Sequence, residues 1–389
     1  MVLQHNPNNN SDTTATEATN TLGLRLLQST PSETNALVSP LSIQSALSMA
    51  FTGANGVTAK QMAQTLGLST KTASEIVQLT HSIATNTETT TLLIANALFG
   101  QKSYPFIPEF ISQLEKEFKA PLQILDFQQN PAESTNIINQ WIKNKTRQHI
   151  TQLIPPNSIS RDTSLVLANA IYFQATWLEK FCPSETRPAN FTLPNGQACL
   201  VPTMRLNSLL HYTKFPRFES IALPYSNNDF FLVILLPGQT ENLPQIEKKL
   251  STSDFSSVFQ SDKKRIAFAL PSFRLEPATM VLAETLAQLG MPSAFDKPRG
   301  SADFSKIGPR LPNDYLFLSN VFHKAFISIN ESGTEAAAAT ATIMMRATAL
   351  PPEPDLEVKI DRPFLFALLH KPSLAFLFLG RVLDPREKN

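Results

Sequence analysis

The sequence predicts a mixed α+β fold built as one large domain, on three observations. Helix-start signals recur through the first 150 residues, long apolar runs recur after residue 90, and neither a linker nor an internal repeat divides the chain after residue 20. A chain of 389 residues could hold two or three ordinary domains. The missing linker decides for one.

In chain order, residues 1–20, MVLQHNPNNNSDTTATEATN, are polar, lack the apolar core of a secretion signal and read as a disordered tail, leaving 21–389 as the domain. Ser39-Pro40 places a capping hydroxyl before a Pro suited to a first helical turn, with Leu41, Ile43, Ala46, Leu47 and Ala50 at helical spacing behind it. Pro108 opens a helix through Phe118. Asn130-Pro131-Ala132-Glu133 resembles a capping box, and Ile137, Ile138, Trp141 and Ile142 give the following helix an apolar face to about His149. Ala278 to Leu289 reads as another helix, stopped by Gly290. The runs 91–100, 164–174, 230–238, 265–275, 363–370 and 374–383 read as strands. Several are apolar without alternation, so both of their faces are expected to be covered.

Composition removes several function classes. Lysine and arginine number 33 against 32 aspartate and glutamate, a net charge of +1 that gives no pull toward nucleic acid or an anionic surface. No apolar run approaches the ~20 residues that span a bilayer. Cys182 and Cys199 are too few for a disulfide framework or a zinc site and leave the redox compartment open. Sequence signatures of the common hydrolases, nucleotide sites and zinc proteases are missing. Ser261-Asp262-Lys263-Lys264 fits S-x-x-K only within a charged turn. The histidines at 5, 81, 149, 211, 323 and 370 form no ligand pair, and His323, among apolar residues, reads first as a hydrogen-bonded core histidine.

One stretch resists these readings. In GTEAAAATATIMMRATALPPEP, residues 333–354, only Glu335 and Arg346 carry charge before Pro352. As a strand, one face would present Thr334, Ala336, Ala338, Thr340, Thr342 and Met344, a set that can enter a sheet without burying an ion. Its Glu-Ala-Ala-Ala-Ala run also favours helix, so the segment has two options. A ten-residue strand closing ladders on both sides gains ten or more hydrogen bonds at about 0.5–1.5 kcal/mol each. That rivals the ~5–15 kcal/mol stability of a whole domain. A loop held out of a sheet would store this work, whereas a flexible, protease-sensitive linker would not.

The ordered motifs resemble those of the serpin family over about residues 20–386. Asn35-x-x-x-Ser39-Pro40-x-Ser42-Ile43 and Gly53-Ala54-x-Gly56-x-Thr58-x-x-Gln61-Met62 are similar to its early helices, and Asn169-Ala170-Ile171-Tyr172-Phe173-x-x-Trp177 to its central strand. His323-Lys324 with Glu331-x-Gly333-Thr334-Glu335-Ala336-Ala337 resembles its strand and hinge. Asp361-Arg362-Pro363-Phe364-Leu365-Phe366 and Leu379-Gly380-Arg381-Val382 resemble its C-terminal signature.

The resemblance implies three β-sheets, eight or nine helices and an exposed reactive-centre loop at about 333–354. It also implies a suicide-substrate inhibitor, by a loop-insertion mechanism that is a known serpin property. A serine protease would be trapped as a covalent acyl-enzyme when the cut loop inserts into the main sheet. The inhibitor would be a monomer with no cofactor, metal, nucleic acid or membrane partner. By the same resemblance Ser39, Ser42, Asn169 and His323 form a hydrogen-bonded gate under the opening sheet, with Trp177 near the top where insertion begins. The hinge comprises Glu331, Gly333, Thr334, Glu335, Ala336, Ala337, Ala338 and Ala339.

Counting on from Glu331 in the usual register places the scissile bond at Ala347-Thr348, suited to an elastase-like pocket. Arg346-Ala347 is the alternative, suited to a trypsin-like one. Ser272 stands where the family usually has a basic partner for Glu331, with Arg274 as a substitute, and Ala175 stands where it commonly has Gly. Small hinge residues favour an inhibitor over a carrier or chaperone-like serpin. The target protease stays open, as does the compartment, where the family leans toward secretion.

Overall fold

The computed structural model describes residues 13–238, 241–312, 314–335 and 353–386. Helix α1 (Ala15–Gln28) opens where the Thr14 hydroxyl accepts a hydrogen bond from the Glu17 amide. It begins inside the stretch 1–20 read as a tail and corrects that boundary. Ala15, Ala18 and Thr19 are small enough to pack closely, and buried Asn20 bonds the backbone of Leu374 and Phe376, so a polar run hides a buried face. Strand β1 (Ala36–Val38) leads into α2 (Pro40–Gly53), a central helix buried almost all round. Pro40 starts it as expected, but the Ser39 hydroxyl does not cap it and has no hydrogen-bond partner among the described residues.

Helices α3 (Gly56–Leu66) and α4 (Thr70–Ile83) are followed by β2 (Thr85–Asn86) and β3 (Thr90–Gln101). Helix α5 (Pro108–Gln113) runs on through a π turn at Leu114–Phe118, and β4 (Gln123–Leu125) precedes α6 (Pro131–Lys145). That helix stops short of His149, because Arg147 and Gln148 turn into left-handed conformations at φ 50° and 68°. Asn130 likewise makes no side-chain cap.

Next come β5 (Leu165–Thr176), β6 (Arg187–Thr192), β7 (Ala198–Lys214), β8 (Phe218–Pro224) and β9 (Phe230–Pro237). Short helices α7 (Leu243–Glu247) and α8 (Ser253–Ser256) lead to β10 (Lys263–Pro271) and β11 (Phe273–Leu275). The expected single strand 265–275 is broken at Ser272, where the chain leaves β7 for a partner in another sheet. The expected helix from Ala278 is shorter too. Met280–Val281 forms β12 against His323 and Phe322, and α9 (Ala283–Leu289) starts only afterwards. The remaining strands are β13 (Leu318–Ala325), β14 (Ile327–Asn330), β15 (Gly333–Thr334), β16 (Leu356–Lys359), β17 (Phe364–His370) and β18 (Ala375–Val382).

Nine α-helices thus stand among the described residues, together with two hydrogen-bonded sheet networks where three sheets are expected. Continuous β7 accounts for the difference: it pairs β6 at its start, β10 along its middle and β8 at its far end, so two sheets share one strand. The other network centres on β5, which pairs β3 antiparallel along its length and β13 in parallel. Both faces of β5 are covered, as its unbroken apolar run requires. Val166, Ala168 and Ala170 meet Ile138 and Ile142 of α6, while Ile171, Phe173 and Ala175 pack with Phe230, Phe268 and Phe366 of the other network.

Candidate functional site

The site is a fork in the sheet around β5. Leu165 to Ile171 pair in parallel with Leu318 to Ala325 of β13. Past that point β14 diverges, and β15 fills the opening, with Gly333 and Thr334 paired to Thr176 and Ala175 on one side and to Asn330 and Ile329 on the other. Gly333 and Thr334, expected as hinge residues, are therefore already strand.

Local chemistry explains why these residues fit. Gly333 lies at φ 152°, and a Cβ there would stand 1.9 Å from the Ala175 carbonyl oxygen, so no other residue enters without displacement. The Asn330 side-chain oxygen accepts from the amides of Ser332 and Gly333 at 2.9 and 3.1 Å and folds the turn. Trp177 is buried and reads this turn twice: its amide donates to Ser332 O at 3.0 Å and its indole N–H to Asn330 O at 2.9 Å. Its ring stacks on Tyr225 at 4.4 Å, and the Tyr225 hydroxyl bonds the fully buried Thr334 hydroxyl. Burial holds the Tyr225 phenol well above its ordinary pKa, so it stays neutral.

Glu331 takes a hydrogen bond from Thr186 Oγ1 at 2.8 Å. The expected substitute partner, Arg274, does not serve it. Arg274 pairs with Glu276 at 2.7 Å and lies over the Phe326 ring, which places its guanidinium elsewhere. Glu335 leaves the fork at φ 50°, its amide donating to Ser328 O at 2.8 Å and its carbonyl accepting from Gln174 Nε2 at 3.1 Å.

Lower on the same sheet, Asn96, Asn169, His323 and Met280 stand opposite one another on four successive strands. Ser39 donates its backbone N–H to His323 Nε2 at 3.2 Å, so the ring proton sits on Nδ1 and donates to the Asn169 side-chain oxygen. The Asn169 amide nitrogen donates to Ser42 Oγ and Asn96 Oδ1, and Asn96 donates on to Ser45 Oγ at 3.1 Å. Burial pushes the His323 pKa down to about 3, so the imidazole is neutral.

Ser39, Ser42, Asn169 and His323 are thus brought together, Ser39 through its backbone, while Trp177 stands at the fork, beside the turn at Asn330. Glu331, Gly333, Thr334 and Glu335 line that fork. Ala336, Ala337, Ala338, Ala339, Arg346, Ala347 and Thr348 lie outside the described residues. Asn96 and Ser45 are members that sequence reading misses. A lone Asn inside the apolar run LLIANALFG is the signal that points to the first. Among the described residues no cluster of His, Cys, Asp or Glu is placed to hold a metal.

The arrangement can accept a strand. Among the described residues, Tyr172, Phe173 and Gln174 have a β-partner on the β3 edge only.

The comparisons agree with this geometry. A sequence model described as serpin (serine protease inhibitor) matches residues 17–385. Leukocyte elastase inhibitor of Equus caballus is 36% identical over 90% of this chain and 93% of its own length. Serpin B6 of Macaca fascicularis is 35% identical over 95% and 99%. The crystal structure of Manduca sexta serine protease inhibitor (serpin)-12 superposes with a TM-score of 0.84 at 26% identity, covering 95% of this chain and 99% of that one.

Proposed function

Because the chain belongs to the serpin family of serine protease inhibitors, we propose that it inhibits its target as a suicide substrate, with the forked sheet as the receiver of its own cut loop. The protease serine Oγ attacks the carbonyl carbon of Ala347. The bond to the Thr348 nitrogen breaks, that amine leaves with a proton, and Ala347 remains as an ester on the enzyme. The freed segment then continues the strand begun at Gly333 and carries the enzyme with it. Deacylation requires an intact catalytic site, so a distorted one leaves the ester trapped.

The observation that carries this reading is the seating of Gly333 and Thr334 between β14 and β5. Thr334 faces Tyr225 in the core, so in an inserted strand alternation would send Ala336, Ala338, Thr340 and Thr342 the same way. None of these brings charge or bulk inward. Insertion must part β5 from β13, and with them the His323–Asn169 bond. One parallel ladder is lost and two antiparallel ladders are gained, so the balance favours insertion.

An elastase-like target is favoured by the small Ala347 and by relatives named leukocyte elastase inhibitor. Arg346 keeps a trypsin-like target as the second reading. Limited cleavage within the loop tests the insertion step: the cut protein is expected to melt well above the intact one. An unchanged melting temperature would point instead to a carrier or chaperone-like serpin.

A further inference from the structure

We infer that His149 is a positioning residue for loop insertion: together with Tyr172 it seats Glu335 at the mouth of the fork and fixes the register in which the loop enters the sheet. This rests on the insertion reading above. The chain invests backbone strain to place His149. After α6, the Thr146 hydroxyl donates to Ile142 O and accepts from the Ile150 amide, and Arg147 and Gln148 follow at φ 50° and 68°. These turns lay the His149 ring on Tyr172, stacked at 4.3 Å, with Nδ1 2.9 Å from Glu335 Oε1. Glu335 is therefore held by three elements: β14 through its amide, β5 through its carbonyl and the segment after α6 through its carboxyl.

Register is what this contact protects. With Thr334 opposite Ala175, Glu335 falls beside Gln174 and its carboxyl lies on the α6 face. A one-residue slip would exchange the two side chains and drive the carboxyl into the core beside Tyr225 and Phe173. His149 gives the carboxyl a partner on the correct face only.

The groups around Glu335 are His149 and Arg147 after α6, Tyr172 on β5, Arg274 and Glu276 along and beyond β11, and Lys324 at the end of β13 within 3.9 Å of Glu276. Desolvation by burial, the largest influence, raises the Glu335 pKa to about 7, and burial lowers that of His149. A carboxyl with a raised pKa in the seat binds there best when protonated, so seating is strongest in acid and weakens as pH rises through about 7. His149 acts in the opposite sense, but only below its ordinary value of 6.5, so above that Glu335 alone sets the slope.

Hydrogen exchange of the intact, protease-free protein tests the seat. His149→Ala is expected to lower protection of segment 331–335 by about tenfold without changing the segments around Asn169 and His323. His149→Gln, which keeps a donor, should restore part of it. Protection corrected for intrinsic exchange should fall between pH 6.5 and 8 in the wild type and stay level in Glu335→Gln, which also serves if the His149 variants fail to fold. With protease, His149→Ala should form less covalent adduct and more cleaved inhibitor. Unchanged protection, a pH slope that survives Glu335→Gln, or an unchanged adduct share would each overturn the inference. If the wild type itself forms no adduct, the insertion reading fails, while the exchange data still judge the seat.

Discussion

His323 and Asn169 are hydrogen-bonded across the neighbouring parallel strands β13 and β5, and the second ring nitrogen of His323 is bound by the Ser39 amide. Both ring nitrogens are thus occupied in the neutral form only, because a protonated ring would offer Ser39 a donor facing a donor. The residues expected as the gate consequently form a closed neutral network with a defined response to acid.

The response can be measured. In the folded protein the His323 pKa lies at about 3, below its ordinary 6.5. Its contribution to stability is therefore full above pH 6.5 and is lost as pH falls from 6.5 toward 3, at roughly 1.4 kcal/mol per pH unit. His323→Gln should remove that slope, although it lowers stability at neutral pH by about 1–3 kcal/mol through the broken network. Melting curves of both proteins between pH 7 and 4 should converge toward acid. Parallel curves would exclude His323 as the titrating group.

Gly333 gives a second prediction. A methyl group there must displace the Ala175 carbonyl, 1.9 Å away, or leave the fork. Gly333→Ala should therefore unseat β15, raise hydrogen exchange of the Trp177 amide, which bonds Ser332 O, and shift the outcome with protease toward cleavage without adduct. Tyr225→Phe, which removes only the partner of the Thr334 hydroxyl, should have a smaller effect, about 1–2 kcal/mol on seating.

Arg381 gives a third prediction, one that concerns stability. Its guanidinium is buried, binds both carboxylate oxygens of Glu247 at 2.6 and 2.7 Å, and also reaches Thr34 O at 3.1 Å and Thr30 Oγ1 at 3.2 Å. Arg381→Met leaves the Glu247 charge uncompensated and should cost about 3–5 kcal/mol. Equilibrium urea unfolding should show that loss. Below its melting point the variant should still form adduct with protease in the wild-type proportion, because the proposed insertion leaves the network of β18 intact.

Elements whose physics is local were legible in the sequence. Runs such as FFLVILLP form strands because both of their faces are covered, and Pro40, Pro108 and Pro131 start helices because a first turn needs no N–H from them. Strand β7 was not legible. Pro202, Arg205 and Asn207 interrupt any simple pattern, and its length is set by the three strands that pair with it. Within the site, the residues expected as gate and hinge carry motifs, but Asn96 and Ser45 join only through cross-strand register and helix position. His149 reaches Glu335 through two left-handed residues that hydrophobic periodicity cannot register.

The most direct test of the central claim is incubation of the protein with elastase and with trypsin, followed by denaturing electrophoresis and mass spectrometry of the released peptide. An SDS-resistant adduct with elastase and a released peptide beginning at Thr348 are expected. Complete cleavage of the loop with no adduct to either enzyme would contradict the claim.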